Sequence, residues 1–305
     1  MDNQTGISYF LLLQLSKDRR LQLLYFFLFF ILYLAITTAN LLIISAVAFD
    51  HRLHSPMYLF LVNLAVQDVG IVSAIVPKSM INSLMNTRYI SYFDCFAQVL
   101  IFTCFEASDY FLLTAMAYDR YVAICHPLHY GLMMNRKACI KIMILVWVTS
   151  FLYGMWHTIG IFYIPFCSNV VNQFFCEIPH LLKLSCFGFN LVEVGFLVAS
   201  IITLGLGCFI FIIVSYIMIF KAVLKIPSVK GRQKTFSTCL PHLTVICMFF
   251  VTVGMAYLKP LFNSSSYLDF TLTALYSLLP PLCNPIIYSI RNKNIKSVLY
   301  KLWRC

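Results

Sequence analysis

From Leu21 to Phe49 the chain carries no charged side chain, and comparable runs recur along its length at Ile142–Cys176, Val194–Phe220, Thr235–Leu258 and Phe270–Ile290. A helix needs about 20 apolar residues to cross a hydrocarbon layer of roughly 30 Å, so each of these five runs is long enough unaided. Two further runs qualify only if acids are accepted inside them. The second expected span joins Leu53–Gln67 to Val69–Pro77 across Asp68, and the third contains Glu106 and Asp109. That makes seven spans. Continuous runs of this length are unlike the ten-residue alternation of a membrane β-barrel.

The composition agrees. Apolar residues make up 61% of the 305 and charged residues only 11%, against roughly 25% charged in soluble domains. An ordinary soluble enzyme is excluded, as is a disordered or collagenous chain, since Phe and Tyr number 28 and 18. Tyr9–Leu13 is short and is followed by Lys17, Arg19 and Arg20 instead of a small-residue cleavage site. The first span is therefore expected to act as its own insertion signal. With no internal repeat or long tail, the expected organisation is a single unit over 1–305, with spans near 22–49, 56–80, 95–122, 139–164, 194–221, 234–258 and 268–290. The fold class is an all-α membrane protein, a seven-transmembrane helix bundle, with a short cytoplasmic amphipathic helix at 292–303 after the seventh span.

Seven spans put the termini on opposite sides. The side carrying the N-terminus holds six basic residues, Lys17, Arg19, Arg20, Arg88, Lys183 and Lys259. The other holds fifteen, clustered at Arg120–Lys141, Lys221–Lys234 and Arg291–Arg304 together with Arg52. The positive-inside rule makes the latter cytoplasmic. The flanks of the first span, read alone, say the reverse, but two further features side with the whole-chain count. The sequons at Asn3 and Asn263 fall on the proposed outer face, where glycans are added. So do Cys95, Cys167, Cys176 and Cys186, where disulfides persist; four cysteines allow three pairings. The net charge of +11 then reflects anchoring to anionic membrane lipid on the inner leaflet, not nucleic acid, and offers a basic face to an acidic protein partner.

Ionisable groups within a span are costly and mark function by default. Glu106 and Asp109, three apart on one helix, share a face, and two close carboxylates in low dielectric do not both ionise cheaply. Asp109 fits either interhelical hydrogen bonding or a cation site shared with Asp68. Glu106, nearer the outer half, points to a cavity role. If ionised it favours amines or a cation; if protonated it donates to an oxygenated ligand. Phe102, Thr103, Glu106, Ala107 and Tyr110 recur at helical spacing as one stripe. Candidates facing it are Ser200 and Leu204, Val253, Gly254 and Tyr257, and Thr273 and Ser277. Such a mix of apolar walls and a few polar groups suits a small-molecule pocket. The prolines Pro77, Pro280, Pro281 and Pro285 each remove a helical donor, and Pro285 follows Asn284 at a possible hinge. No zinc spacing or nucleophile–base pair stands out, so no catalytic residue is assigned.

The stretch MAYDRYVAIC at Met116–Cys125 resembles the inner end of the third span in rhodopsin-like G-protein-coupled receptors, and in its full length the olfactory receptor branch. Five further segments resemble that branch in order: Asn40; PMYLFLVNLAVQD at Pro56–Asp68; Ser215-Tyr216; KTFSTCLPHL at Lys234–Leu243; and PLCNPIIYSIRNKNIK at Pro281–Lys296. The resemblance implies an odorant receptor of the plasma membrane that binds small volatile ligands in the outer half of the bundle. It implies coupling to a heterotrimeric stimulatory, olfactory-type G protein that raises cyclic AMP. It implies that Asp119 holds Arg120 at rest, that Asp119, Arg120, Tyr121, Tyr216, Asn284, Pro285 and Tyr288 form the activation switch, and that Asp68, Asp109 and Asn284 form a mid-membrane polar cluster that can hold an allosteric sodium ion, with no other cofactor. It selects the disulfides Cys95–Cys176 and Cys167–Cys186. Two departures stand out: Phe249 is followed by Phe250 and Val251 where the branch has Tyr-Gly, removing a hydroxyl from the pocket floor, and Glu106 stands where the branch is more often small or neutral. The rival readings are a non-olfactory rhodopsin-like receptor for a small amine or lipid, and an ion-coupled transporter using Asp68, Glu106 and Asp109.

Overall fold

The seven apolar runs form seven long helices in a computed structural model of the chain, which describes residues 7–50, 55–186, 195, 199–258, 266–291 and 295–298. They are α1 (Arg19–Phe49), α2 (Pro56–Met85), α3 (Tyr92–Cys125), α4 (Arg136–Tyr163), α5 (Gly207–Leu224), α6 (Val229–Leu258) and α7 (Ser266–Arg291). Most start earlier or end later than the apolar runs. The reason is capping: Asp18 accepts from Arg20 N, Ser91 from Asp94 N and Asn135 from Ala138 N, satisfying orphan donors outside the hydrocarbon. Pro56 opens α2 at a position where its missing N–H costs nothing.

Side chains sort by helix face. Ile36, Asn40 and Ile43 of α1 are buried, whereas Leu24 and Ile31 are 61% and 62% exposed. In a seven-helix bundle of this hydropathy those outward residues face lipid. Residues 295–298 form a helical turn after α7. Ile295 and Val298, three apart, are buried, and Lys296 is exposed, the amphipathic pattern expected there. The remaining residues of the expected 292–303 helix, and both sequons, lie outside the described residues.

Two features were not expected from sequence. Three-residue strands β1 (Tyr9–Leu11) and β2 (Tyr89–Ser91) pair antiparallel, Phe10 opposite Ile90. The same N-terminal segment also bonds the loop after α4, Leu11 N to Asn169 O at 2.7 Å and Val171 N to Leu11 O at 2.9 Å. The N-terminal segment thus closes one end of the bundle over the buried ring of Phe10. Second, α5 is preceded by a π-helical turn at Ile201–Leu206, a wider coil that often marks functional sites.

Gly154 of α4 sits where α3 crosses. A Cβ there would overlap Cys104 Sγ and lie 3.2 Å from the Cys104 backbone nitrogen and 3.3 Å from its Cα. Small residues of this kind let membrane helices approach closely. Because the backbone cannot yield as a side chain tip can, Gly154→Val is expected to destabilise the bundle by about 1–3 kcal/mol. Detergent-purified protein should unfold at a lower temperature and less should reach the cell surface; an unchanged melting curve would contradict the close α3–α4 crossing.

A cavity beneath the disulfide-braced loop

The loop after α4 is tied down from several directions. Disulfides join Cys95 to Cys176 and Cys167 to Cys186, the pairing that the resemblance selected. Beside the first, Gln98 of α3 donates to Ala74 O of α2 at 2.8 Å and accepts from Cys176 N at 2.8 Å. Gln173 donates to Thr273 Oγ1 of α7 at 2.8 Å, and Ser79 of α2 donates to Phe174 O at 2.8 Å. The loop is therefore a fixed roof bonded to α2, α3 and α7.

Under this roof lies a cavity of about 510 Å³, within the usual size of a small-molecule site. The α3 stripe Phe102, Thr103, Glu106, Ala107 and Tyr110 lines it, as do Ser200, Leu204 and Gly254. Val253 and Tyr257 fall on α6, but their side chains lie outside the described residues. Thr273 and Ser277 do not line it. Thr273 is fully buried against Gln173, and Ser277 donates to Thr273 O at 2.8 Å, so both serve packing while Tyr276 faces the cavity from α7.

Several lining residues escaped the sequence reading. Tyr153 and His157 of α4 have ring centroids 4.4 Å apart, and His157 Nε2 lies 3.2 Å from Ser200 Oγ. The roof contributes Glu177 and His180, paired at 2.5 Å, and the Tyr276 hydroxyl donates to Glu177. The floor is aromatic: Tyr110 stacks on Phe249 at 5.8 Å and meets Phe250 edge-on at 5.9 Å, and Phe209 packs on Phe250 at 4.7 Å. The Tyr110 hydroxyl donates to the Gly205 carbonyl in the π-helical turn. The hydroxyl missing from the 249–251 segment is thus replaced by ring packing.

Deeper in the bundle, Asn284 of α7 donates to both oxygens of Asp68 at 3.1 Å. Asn40 donates to Pro281 O at 3.1 Å and to Ile36 O at 3.0 Å. The first of these bonds joins α1 to α7 beside Pro281, and Pro285, which lacks an N–H, removes a helical donor to the same carbonyl. Buried Asp109 Oδ1 and Asn284 Oδ1 find no hydrogen-bond partner among the described residues.

At the far end, Arg120 lies within electrostatic reach of Tyr216, His242 and Tyr288, three residues from α5, α6 and α7. Asp119 and Arg120 lie within electrostatic reach of each other, but among the described residues their direct contacts are to other groups. Asp119 accepts from the Tyr130 hydroxyl at 2.9 Å, and Arg120 contacts Met57 Sδ. Burial and, after it, the nearby Asp119 charge push the Tyr130 phenol above its ordinary pKa, keeping it a donor. Tyr121 pairs with His126 at 3.1 Å. The Tyr216 hydroxyl lies 2.7 Å from His242 Nδ1 in a buried α5–α6 contact. Tyr216→Phe should leave that nitrogen unpaired and cost about 1–3 kcal/mol. A double-mutant cycle with His242→Phe on thermal unfolding should show coupling; additive losses would mean that the contact contributes nothing.

Four likenesses to known proteins bear on this arrangement. A family model described as olfactory receptor matches residues 29–304. The chain is 45% identical over 304 residues to Olfactory receptor 14A2 of Homo sapiens, covering 99% of this chain and 96% of that protein. It is 44% identical over 303 residues to Olfactory receptor 14J1 of Homo sapiens, covering 99% and 94% respectively. A crystal structure of squid rhodopsin matches with a TM-score of 0.75 at 15% identity, over 94% of this chain and 81% of that one. At that identity the likeness is one of fold.

Proposed function

The chain belongs to the olfactory receptor family, and from this premise we propose how it reads an odorant. It is a multi-pass membrane receptor, not an enzyme, and the rival readings as a transporter or a receptor outside smell lose their footing. The single observation that carries the mechanism is the roofed cavity of about 510 Å³ between α3, α4, α5, α6 and α7. A small volatile ligand would enter it in the plasma membrane with the N-terminus outside, in line with the distribution of Lys and Arg.

Ligand binding shifts the bundle only through its differential affinity for the active arrangement. Tyr110 is the natural coupling point, because its ring lies on Phe249 and Phe250 of α6 and its hydroxyl on Gly205 before α5. A ligand pressing on that ring would move α6 against α5. At the inner end this would part Tyr216 from His242 and open Arg120 to a stimulatory G protein, flanked by the basic segment Lys221–Lys234. Arg120→Ala should abolish odorant-dependent cyclic AMP while surface labelling stays intact. Persistent signalling would remove Arg120 from the switch.

We propose that the polar cluster holds a sodium ion. Asp68 brings a carboxylate, and the unpartnered oxygens of Asp109 and Asn284 supply two further acceptors. These residues would hold the ion, which would supply local charge neutralisation and favour the resting arrangement. Replacing sodium by potassium should change agonist potency in the wild type and not in Asp68→Asn; equal sensitivity in both would dismiss the site.

A further inference from the structure

Resting on the receptor reading above, we propose that the cavity selects a protonated amine with an apolar body, whose ammonium group sits against the Glu106 carboxylate. Two acids reach this cavity, and the structure treats them differently. Glu177 already has partners in His180, at 2.5 Å, and in the Tyr276 hydroxyl. Glu106 lines the same space partly buried on α3, and among the described residues it makes no hydrogen bond or ion pair. A carboxyl group withdrawn from water without a partner stays ionised only at a cost, and a ligand cation is the group that draws it into the carboxylate form, since charge-assisted hydrogen bonds are about twice as strong as neutral ones.

The walls point the same way. Phe102, Tyr110, Phe111 and Tyr153 line the cavity with Glu106, and aromatic faces attract ammonium groups. Lys183, the lysine among the lining residues, is exposed and belongs to the roof, and among the described residues it forms no ion pair with Glu106. A carboxylate ligand would meet two acids, and a neutral alcohol would offer Glu106 only a neutral hydrogen bond. The aromatic floor beneath Tyr110 offers an apolar body its burial surface.

The test compares matched amines, alcohols and carboxylic acids on the same cyclohexyl and phenylethyl bodies. Cyclic AMP is read in cells expressing wild type, Glu106→Gln or Glu106→Asp, each normalised to surface labelling. The wild type should answer the amines at lower concentration than the alcohols or acids. Glu106→Gln should raise the amine half-maximal concentration roughly ten- to hundredfold and shift the alcohol curves much less, so that the preference for amines is lost. Glu106→Asp should retain the amine preference at reduced potency, which also shows that this position tolerates substitution. Equal potency of amines and alcohols in the wild type, or unchanged amine curves in Glu106→Gln, would overturn the proposal while leaving a working odorant receptor. Silence of surface-expressed wild type towards the amines would overturn it too, whereas loss of all cyclic AMP responses to a broad odorant panel would count against the coupling proposed above.

Discussion

The Asn284 amide bridging both oxygens of Asp68 shows the constraint on which the rest of this bundle depends. In lipid a polar group has only other protein groups as partners. Each buried polar side chain therefore joins helices or leaves a chemical demand that something else must meet. Asp68–Asn284 joins α2 to α7, and Asn40 to Pro281 O joins α1 to α7. Asn63 accepts from Trp147 Nε1 at 3.1 Å, joining α2 to α4. Apolar packing alone gives little orientation between helices whose outer faces are equally apolar, so these few bonds fix which faces meet.

The two ends of the bundle use that constraint oppositely. The end that carries the N-terminal segment is bonded redundantly, by two disulfides, by Gln98 and Gln173, and by β1 pairing with β2. At the other end no disulfide joins the helices among the described residues, and the polar contacts are pairwise, as in Tyr130 with Asp119 and Tyr216 with His242. A braced roof holds the cavity shape, and the opposite end has fewer covalent and polar ties to break. That asymmetry is what a receptor needs if a ligand at one end is to alter the other by contact through Tyr110.

Much of this was legible in the sequence for physical reasons. Five runs excluding charge, and two interrupted only by Asp68 or by Glu106 and Asp109, were long enough to be spans, and the α3 stripe from Phe102 to Tyr110 kept its helical phase because its polar members marked one face. On α7 the phase was harder to read. Thr273, Tyr276 and Ser277 are all compatible with an inner face, and only the long-range bond from Gln173 decides that Thr273 packs and Tyr276 faces the cavity. The roof residues Glu177 and His180 were out of reach, since their position depends on a disulfide and on bonds to residues some eighty or more positions away. The β1–β2 pair joins two three-residue segments with no periodic signature and was invisible for the same reason.

Asp119 illustrates how local pattern and tertiary context part company. Adjacent to Arg120 in sequence, it invites the reading of a direct pair. Neighbours in a helix point about 100° apart, however, and residues one apart do not face each other. Tyr130, eleven residues on and carried back by the short helical turn at Tyr130–Met133, reaches Asp119 instead. Arg120 contacts Met57 Sδ and lies within electrostatic reach of Asp119, Tyr216, His242 and Tyr288. Its charge then sits at the junction of α3, α5, α6 and α7 with hydroxyl and imidazole groups around it and no carboxylate in direct contact among the described residues. Such a cation is held loosely enough to change partners when α6 moves.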